Sequence, residues 1–192
     1  MIIMAQLELL IPHILKWENG VTGSGTAEEL FFRARAEGVR TVSGDKGGPT
    51  CCGVTLRTYQ SYCKAHGKPA PDIAMLGCIG YREWLDILKG GAWDRWQADR
   101  IESQSVAEML ADWSWTSGGA VQAAQEVLGV RKDGIVGPRT LAAINSRSPL
   151  PLWASLKQRR LLYYQRIVEL NPSQRKFLRG WTNRVNDLTW KG

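Results

Sequence analysis

Apolar residues return at helical spacing along most of this chain, and glycine, proline and capping residues divide the pattern into segments. Leu7, Leu10, Ile11, Ile14 and Leu15 share one face of a first segment that ends near Trp17, with Asn19-Gly20 as its stop. Pro12 inside it either starts a second helical piece or kinks a single one. A short helix over 27–36 is predicted within a stretch, 21–44, that is rich in Gly, Ser and Thr at both ends. Residues 45–55 hold too many glycines for a helix and read as a turn or small hairpin whose backbone must come close to something.

Helical signals dominate the rest. Segments are predicted over 56–65, closed by Gly67, over 72–76, capped by Asp72, and over 81–88, stopped by Gly90-Gly91. The segment 103–117 puts Val106, Met109, Leu110 and Trp113 on one face and ends at Gly118-Gly119. Helices follow over 120–128, over 139–144 behind Pro138, and over 152–170, which Asn171-Pro172 ends. Phe177, Trp181, Val185 and Leu188 mark one face of a last helix. The expected class is mainly α with a small β element near 45–55. Two parts are expected, 1–98 and 99–192, packed as one body.

Composition narrows the partners. The 192 residues suffice for one sizeable core, and 44% hydrophobic with 22% charged residues is ordinary for a globular protein. A formal charge of +7 favours a polyanion: nucleic acid, anionic lipid or peptidoglycan with its acidic stem peptides. Nine Trp tilt the choice toward sugar, because indole faces stack on sugar rings. Cys51, Cys52, Cys63 and Cys78 read as reduced thiols, since the adjacent pair cannot easily form two unstrained bridges. A zinc site has no C-x-x-C pair to build on and only His13 and His66 to help, so no metal or cofactor is implied. The apolar start, Met1 to Ala5, lacks the basic region and cleavage site of a secretory signal, and no run reaches the length of a membrane span. The expectation is a monomer made in the cytoplasm that reaches the wall through a pore or by non-classical export.

Two carboxylates stand out. Glycoside cleavage needs an acid for the leaving oxygen and, across the sugar, a base for water or a nucleophile. Glu18, beside Trp17 at the end of an apolar helix, suits the acid if the site is partly desolvated. It reads equally well as a solvated helix-end residue. Asp45 lies in Asp45-Lys46-Gly47-Gly48, which is also an ordinary turn in which the carboxylate bonds backbone amides. Glu28, Glu29 and Glu37 are substitutes for Asp45, more simply explained as a helix surface. Tyr59, Tyr62, Trp93 and Trp96 are candidate sugar contacts weighed against a core role. Trp113 and Trp115 point about 200° apart on one helix, so one of them is a candidate exposed platform for glycan.

Lys16-Trp17-Glu18-Asn19-Gly20, the turn from Asp45 to Thr50 and Gly53-Val54-Thr55 together resemble the N-terminal signature of glycoside hydrolase family 108, lysozyme-like N-acetylmuramidases. The stretches from Asp112 to Gly118, Gln125 to Val130, Asp133 to Thr140 and Phe177 to Val185 resemble the predicted peptidoglycan-binding region that follows in that family. The resemblance implies a lysozyme-like fold and cleavage of the β-1,4 bond between N-acetylmuramic acid and N-acetylglucosamine. Glu18 would be the general acid, and Asp45 and Thr50 would hold the attacking water, which makes the reaction inverting. Trp113, Trp115, Thr116 and Tyr59 would contact peptidoglycan glycan strands. The family usually lacks the long stretch 22–44, which therefore reads as an insertion beside the site. Some members are labelled secretion activators, so the alternative is a catalytically impaired peptidoglycan-binding or secretion-associated protein. Nucleic-acid binding rests on charge alone and is not expected.

Overall fold

The computed structural model describes residues 4–41 and 48–191. It is mainly helical with one two-stranded antiparallel sheet, as the pattern predicts. The chain divides into two compact units, Glu8–Gly90, and Met1–Leu7 with Gly91–Gly192.

In the first unit, a 3-10 turn over Leu7–Leu9 precedes α1, Ile11–Asn19. Pro12 sits in the first helical turn, where its missing N–H costs nothing, so it starts α1 instead of kinking it. The buried Leu10, Ile11, Ile14 and Leu15 face α2, Ala27–Ala36. Thr26 opens α2 with a capping box: its hydroxyl accepts from Glu29 N at 3.2 Å and Glu29 Oε2 accepts from Thr26 N at 2.8 Å. Phe31 of α2 packs its ring 5.1 Å from that of Trp84 on α5, Tyr81–Leu88. Between them lie β1, Thr50–Cys51, β2, Val54–Thr55, α3, Leu56–Ala65, and α4, Ile73–Gly77. Thr55 caps α3 and Asp72 caps α4 through their side chains.

Gly90-Gly91 do not stop the helical path as expected. A π-helical turn over Lys89–Trp93 continues from α5, and 3-10 turns follow over Asp94–Trp96 and Ala98–Arg100. Burial explains the difference. Trp93 and Trp96 are fully buried, and their indole nitrogens donate to Asp99 Oδ1 at 2.6 Å and Ser114 Oγ at 2.7 Å.

The second unit is built around α6, Gln104–Thr116, with α7, Ala120–Leu128, and α9, Pro149–Leu170, packed on it. A helix with one apolar face was expected. Instead Ser105 through Ser114 are all buried, so α6 is covered on every side. Its two acids are therefore compensated. Glu108 accepts from Lys191 Nζ at 2.6 Å, and Asp112 accepts from Arg160 Nη2 at 2.7 Å and Arg184 Nη2 at 2.8 Å. Arg160 lies on α9 and Arg184 on α10, Arg175–Asp187.

A buried amide organises the next turn. Gln125 of α7 donates to Asp133 Oδ1 at 2.9 Å and Ile135 O at 3.0 Å, and accepts from Gly134 N at 2.9 Å. The turn leads into α8, Pro138–Asn145. Gln125→Ala is expected to cost about 2 kcal/mol, since it strips partners from backbone groups that the turn holds away from water. Thermal or denaturant melts measure this, and an unchanged midpoint would show that the turn stands without the amide.

Candidate active site

α1 carries Glu18 on its last turn, half-buried. Gly20 closes the helix in the left-handed region, φ 75°, with its N–H donating to Lys16 O at 2.8 Å. The neighbouring Asn19 is buried and donates from Nδ2 to Ala34 O at 3.1 Å, which fastens this end of α1 to α2. Trp17 is half-buried, with the His13 ring 6.4 Å away and the Lys16 ammonium 5.9 Å over the indole. Glu18 thus leaves a helix end that is held in place and flanked by an aromatic ring.

The hairpin pairs Thr50 with Thr55 and Cys51 with Val54, leaving Cys52-Gly53 as a two-residue loop. Both have positive φ, 49° and 78°, the pattern of a type I′ turn in which Asn-Gly is the usual pair. Cys52 occupies the strained position because its surroundings hold it: it is fully buried, and Trp84 Nε1 donates to its carbonyl at 2.9 Å. The hydrogen bond with Cys51 and burial push the Cys52 thiol up, and the charges of Cys51 and Glu18 add to this. The charge of Glu18 is thus felt at Cys52 of the hairpin turn, as a smaller contribution than the Cys51 bond and burial. The Cys51 thiol is pushed down, first by its bond with Cys52 and then by the Arg35 guanidinium. All four cysteines are free thiols, with Cys78 exposed.

Thr50 is half-buried and its backbone is locked on two sides. Its N–H and C=O exchange 2.8 Å bonds with Arg40, and its Cα faces Thr55. Its hydroxyl makes no hydrogen bond to any described residue. Asp45 lies outside the described residues. The substitutes for it sit on α2 and its end: Glu29 is spent in the capping box, Glu28 is exposed and Glu37 pairs with Arg40 at 3.2 Å.

Three expected sugar contacts are corrected, Tyr59 and Trp113 by burial and Thr116 by the bonds its hydroxyl already makes. Tyr59 is 5% exposed and its hydroxyl donates to Glu83 Oε2 at 2.8 Å, so it belongs to the core of its unit. Trp113 is fully buried, with its ring 5.7 Å from that of Tyr163. The Thr116 hydroxyl is taken up by Asp112 O, Trp113 O, Tyr164 Oη and Arg160 Nη2, all within 3.2 Å. Trp115 is half-buried on the same helix. Trp93 and Trp96 are core residues, and Tyr62 donates to Asp86 Oδ2 at 3.0 Å.

The Tyr59 partner gives a test of pH dependence. Burial works to raise the Glu83 carboxyl, but Lys68 Nζ at 2.6 Å, the Tyr59 hydroxyl and Gly80 N–H outweigh it and hold the carboxyl below the usual range. A carboxylate depressed on folding stabilises above its unfolded pKa, and that contribution is lost as pH falls through the folded value. Glu83→Gln is therefore expected to cost about 1–2 kcal/mol at pH 7, a gap that shrinks as pH falls below the usual carboxylate range. Melts across that range check it, and a constant gap would contradict it.

A glutamate at a helix end acting on a two-stranded hairpin, in a mainly α chain, is a lysozyme-like arrangement. Comparison with protein families agrees. The model for glycosyl hydrolase 108 matches residues 33–118, and that for a predicted peptidoglycan domain matches residues 119–186. Over residues 33–118 the chain is thus similar to glycosyl hydrolase 108, with a predicted peptidoglycan domain on its C-terminal side. The first match begins at Arg33, inside α2, so it includes the last part of the stretch read as an insertion and leaves Glu18 outside it. Among solved structures, the chain is similar to Brucella abortus SagA, with 25% identity, a TM-score of 0.66, and coverage of 83% of this chain and 89% of that one. No curated protein matches it. The two domain matches support a peptidoglycan hydrolase of the glycosidase type.

Proposed function

We propose that the chain cleaves the β-1,4 bond between N-acetylmuramic acid and N-acetylglucosamine, with Glu18 as general acid. The observation that carries this reading is the position of Glu18. It stands half-buried on a fastened helix end, in the same compact unit as the hairpin that carries Thr50. An acid in that place can protonate the leaving oxygen of a glycan lying along the hairpin. Asp45 and Thr50 would hold water on the other side of the sugar. For inversion the two carboxyls must stand roughly 6.5–9.5 Å apart, room for that water. The Thr50 hydroxyl, which makes no hydrogen bond to any described residue and sits on a locked backbone, suits the role of orienting it.

Amidases and endopeptidases also open peptidoglycan, and purified sacculi separate the classes. Digestion by this chain should raise reducing sugar ends while the stem peptides stay attached. A rise in free amino groups or free peptides without new reducing ends would contradict a glycosidase. A second reading, a peptidoglycan-binding protein with impaired catalysis, is favoured by one fact, the family match that starts beyond Glu18. It predicts pelleting with sacculi and no rise in reducing ends.

A further inference from the structure

The charge of the chain is unevenly placed. Residues 91–192 hold fifteen Lys and Arg against nine Asp and Glu, which is +6 of the total +7. Within this unit, many basic side chains are already used. Arg160 and Arg184 hold Asp112, Arg159 and Lys132 reach Glu126 at 3.1 and 3.6 Å, and Arg147 donates to Val127 O and Leu128 O. Arg131 and Arg139 differ. Both are exposed and neither makes a hydrogen bond or ion pair with any described residue.

These two guanidiniums line the same groove of about 670 Å³, beside the turn that Gln125 organises. The groove also holds Ile135, 68% exposed, together with Pro138 and Thr140. Asp133 is the one acid of its lining. Its carboxylate accepts from Ile135 N and Gln125 Nε2, each at 2.9 Å, which holds it ionised and turned to the loop. The site therefore offers two exposed guanidiniums, that of Arg131 also favouring the ionised Asp133 through its charge, and an apolar wall on a prebuilt floor, with no aromatic ring in its lining. Neutral sugars are held mainly by ring stacking and hydroxyl hydrogen bonds, and this groove has no ring to stack on. Guanidinium forks instead match carboxylates, and the aliphatic wall matches small side chains such as alanine methyl groups.

We propose that this groove binds the acidic stem peptide of peptidoglycan, with Arg131 and Arg139 on its carboxylates and Ile135 against its alanine side chains. The proposal rests on the peptidoglycan reading and adds to it that the second unit recognises peptide, not glycan. It predicts that a chain with a sugar-cutting acid grips its substrate by the part of the polymer it does not cut.

The test is co-sedimentation of the full chain with beads that carry purified peptidoglycan, either intact sacculi or the glycan strands that an amidase strips of their stem peptides. Wild type should pellet with intact sacculi and bind the stripped glycan about tenfold more weakly or worse. The Arg131→Ala/Arg139→Ala protein should show the same loss on intact sacculi, with a nearly unchanged thermal melt because neither side chain makes a hydrogen bond or ion pair with any described residue. Arg131→Lys/Arg139→Lys should recover only part of the binding, since an ammonium lacks the fork. Lys132→Ala, which removes the same charge from the neighbouring position, should bind as wild type. Equal wild-type binding to stripped and intact sacculi, or full binding by the double alanine protein, overturns the groove and leaves the peptidoglycan reading standing. Failure of the wild type to pellet with either preparation overturns both.

Discussion

Glu18→Gln is expected to slow the release of reducing ends from sacculi by about 10²–10⁴-fold, the usual contribution of a positioned general acid. The amide keeps the size and shape of the carboxyl but has no acidic proton for the leaving oxygen. Without that proton, an alkoxide must leave from an oxocarbenium-like transition state. The substitution lies at the end of α1, where Gly20 and Asn19 set the backbone independently of residue 18. The fold should therefore survive it, and binding to sacculi should be retained, because the groove proposed for the stem peptide is in the other unit. Loss of activity with loss of binding and of the melting transition would point to a structural role for Glu18 instead. Activity within about threefold of wild type would remove it as the acid.

Asp112→Ala should produce the largest loss of stability in the chain. Asp112 and Arg160 are fully buried and Arg184 nearly so, and the aspartate is the acid between the two guanidiniums. Removing it leaves two cations in a low-dielectric core without the carboxylate they share. Breaking a buried pair from one side costs about 3–5 kcal/mol. For a chain of this size that corresponds to a fall of roughly 6–20 °C in the melting temperature. The effect belongs to the unmatched charges, so an apolar replacement of all three residues, Asp112→Leu with Arg160→Met and Arg184→Leu, should recover most of it. A loss below about 1 kcal/mol for Asp112→Ala would mean that water reaches the arginines once the acid is gone.

Asp112 also marks the limit of what the chain discloses by itself. Helices over 27–36, 56–65, 81–88 and 120–128 agree with the observed α2, α3, α5 and α7 because their ends carry local signals. Thr26 and Thr55 cap two of them through their side chains, and Gly129 closes another in the left-handed region. The burial of α6 on every side has no such signal. Its compensating arginines lie 48 and 72 residues away in the chain, and nothing near Asp112 announces them. For the same reason the helical spacing left open which of Trp113 and Trp115 is exposed, and residue type alone made Tyr59 a candidate sugar contact. Spacing says which face a residue shares, and only packing says whether that face is covered.

The site divides along the same line. Glu18 was legible as a carboxylate at a helix end, and the small hairpin was legible from its glycines. That the charge of Glu18 bears on the Cys52 thiol is a tertiary fact, set by the fastening of α1 through Asn19 and of the turn through Trp84. The peptide groove was half visible. The Asp133-Gly134 turn stood out by composition, but that Arg131 and Arg139 make no hydrogen bond or ion pair with any described residue appears only when every neighbouring cation has been assigned its acid or carbonyl.

The central claim, that Glu18 cuts the muramic acid to glucosamine bond, is tested most directly by the identity of the sugar at each new end. Sacculi digested by wild type and by Glu18→Gln, reduced with borohydride and analysed by mass, give that identity. The expected result is reduced muramic acid carrying its stem peptide in the wild-type digest, and almost none in the Glu18→Gln digest. Reduced glucosamine ends, free stem peptides, or equal yields from the two proteins would contradict it.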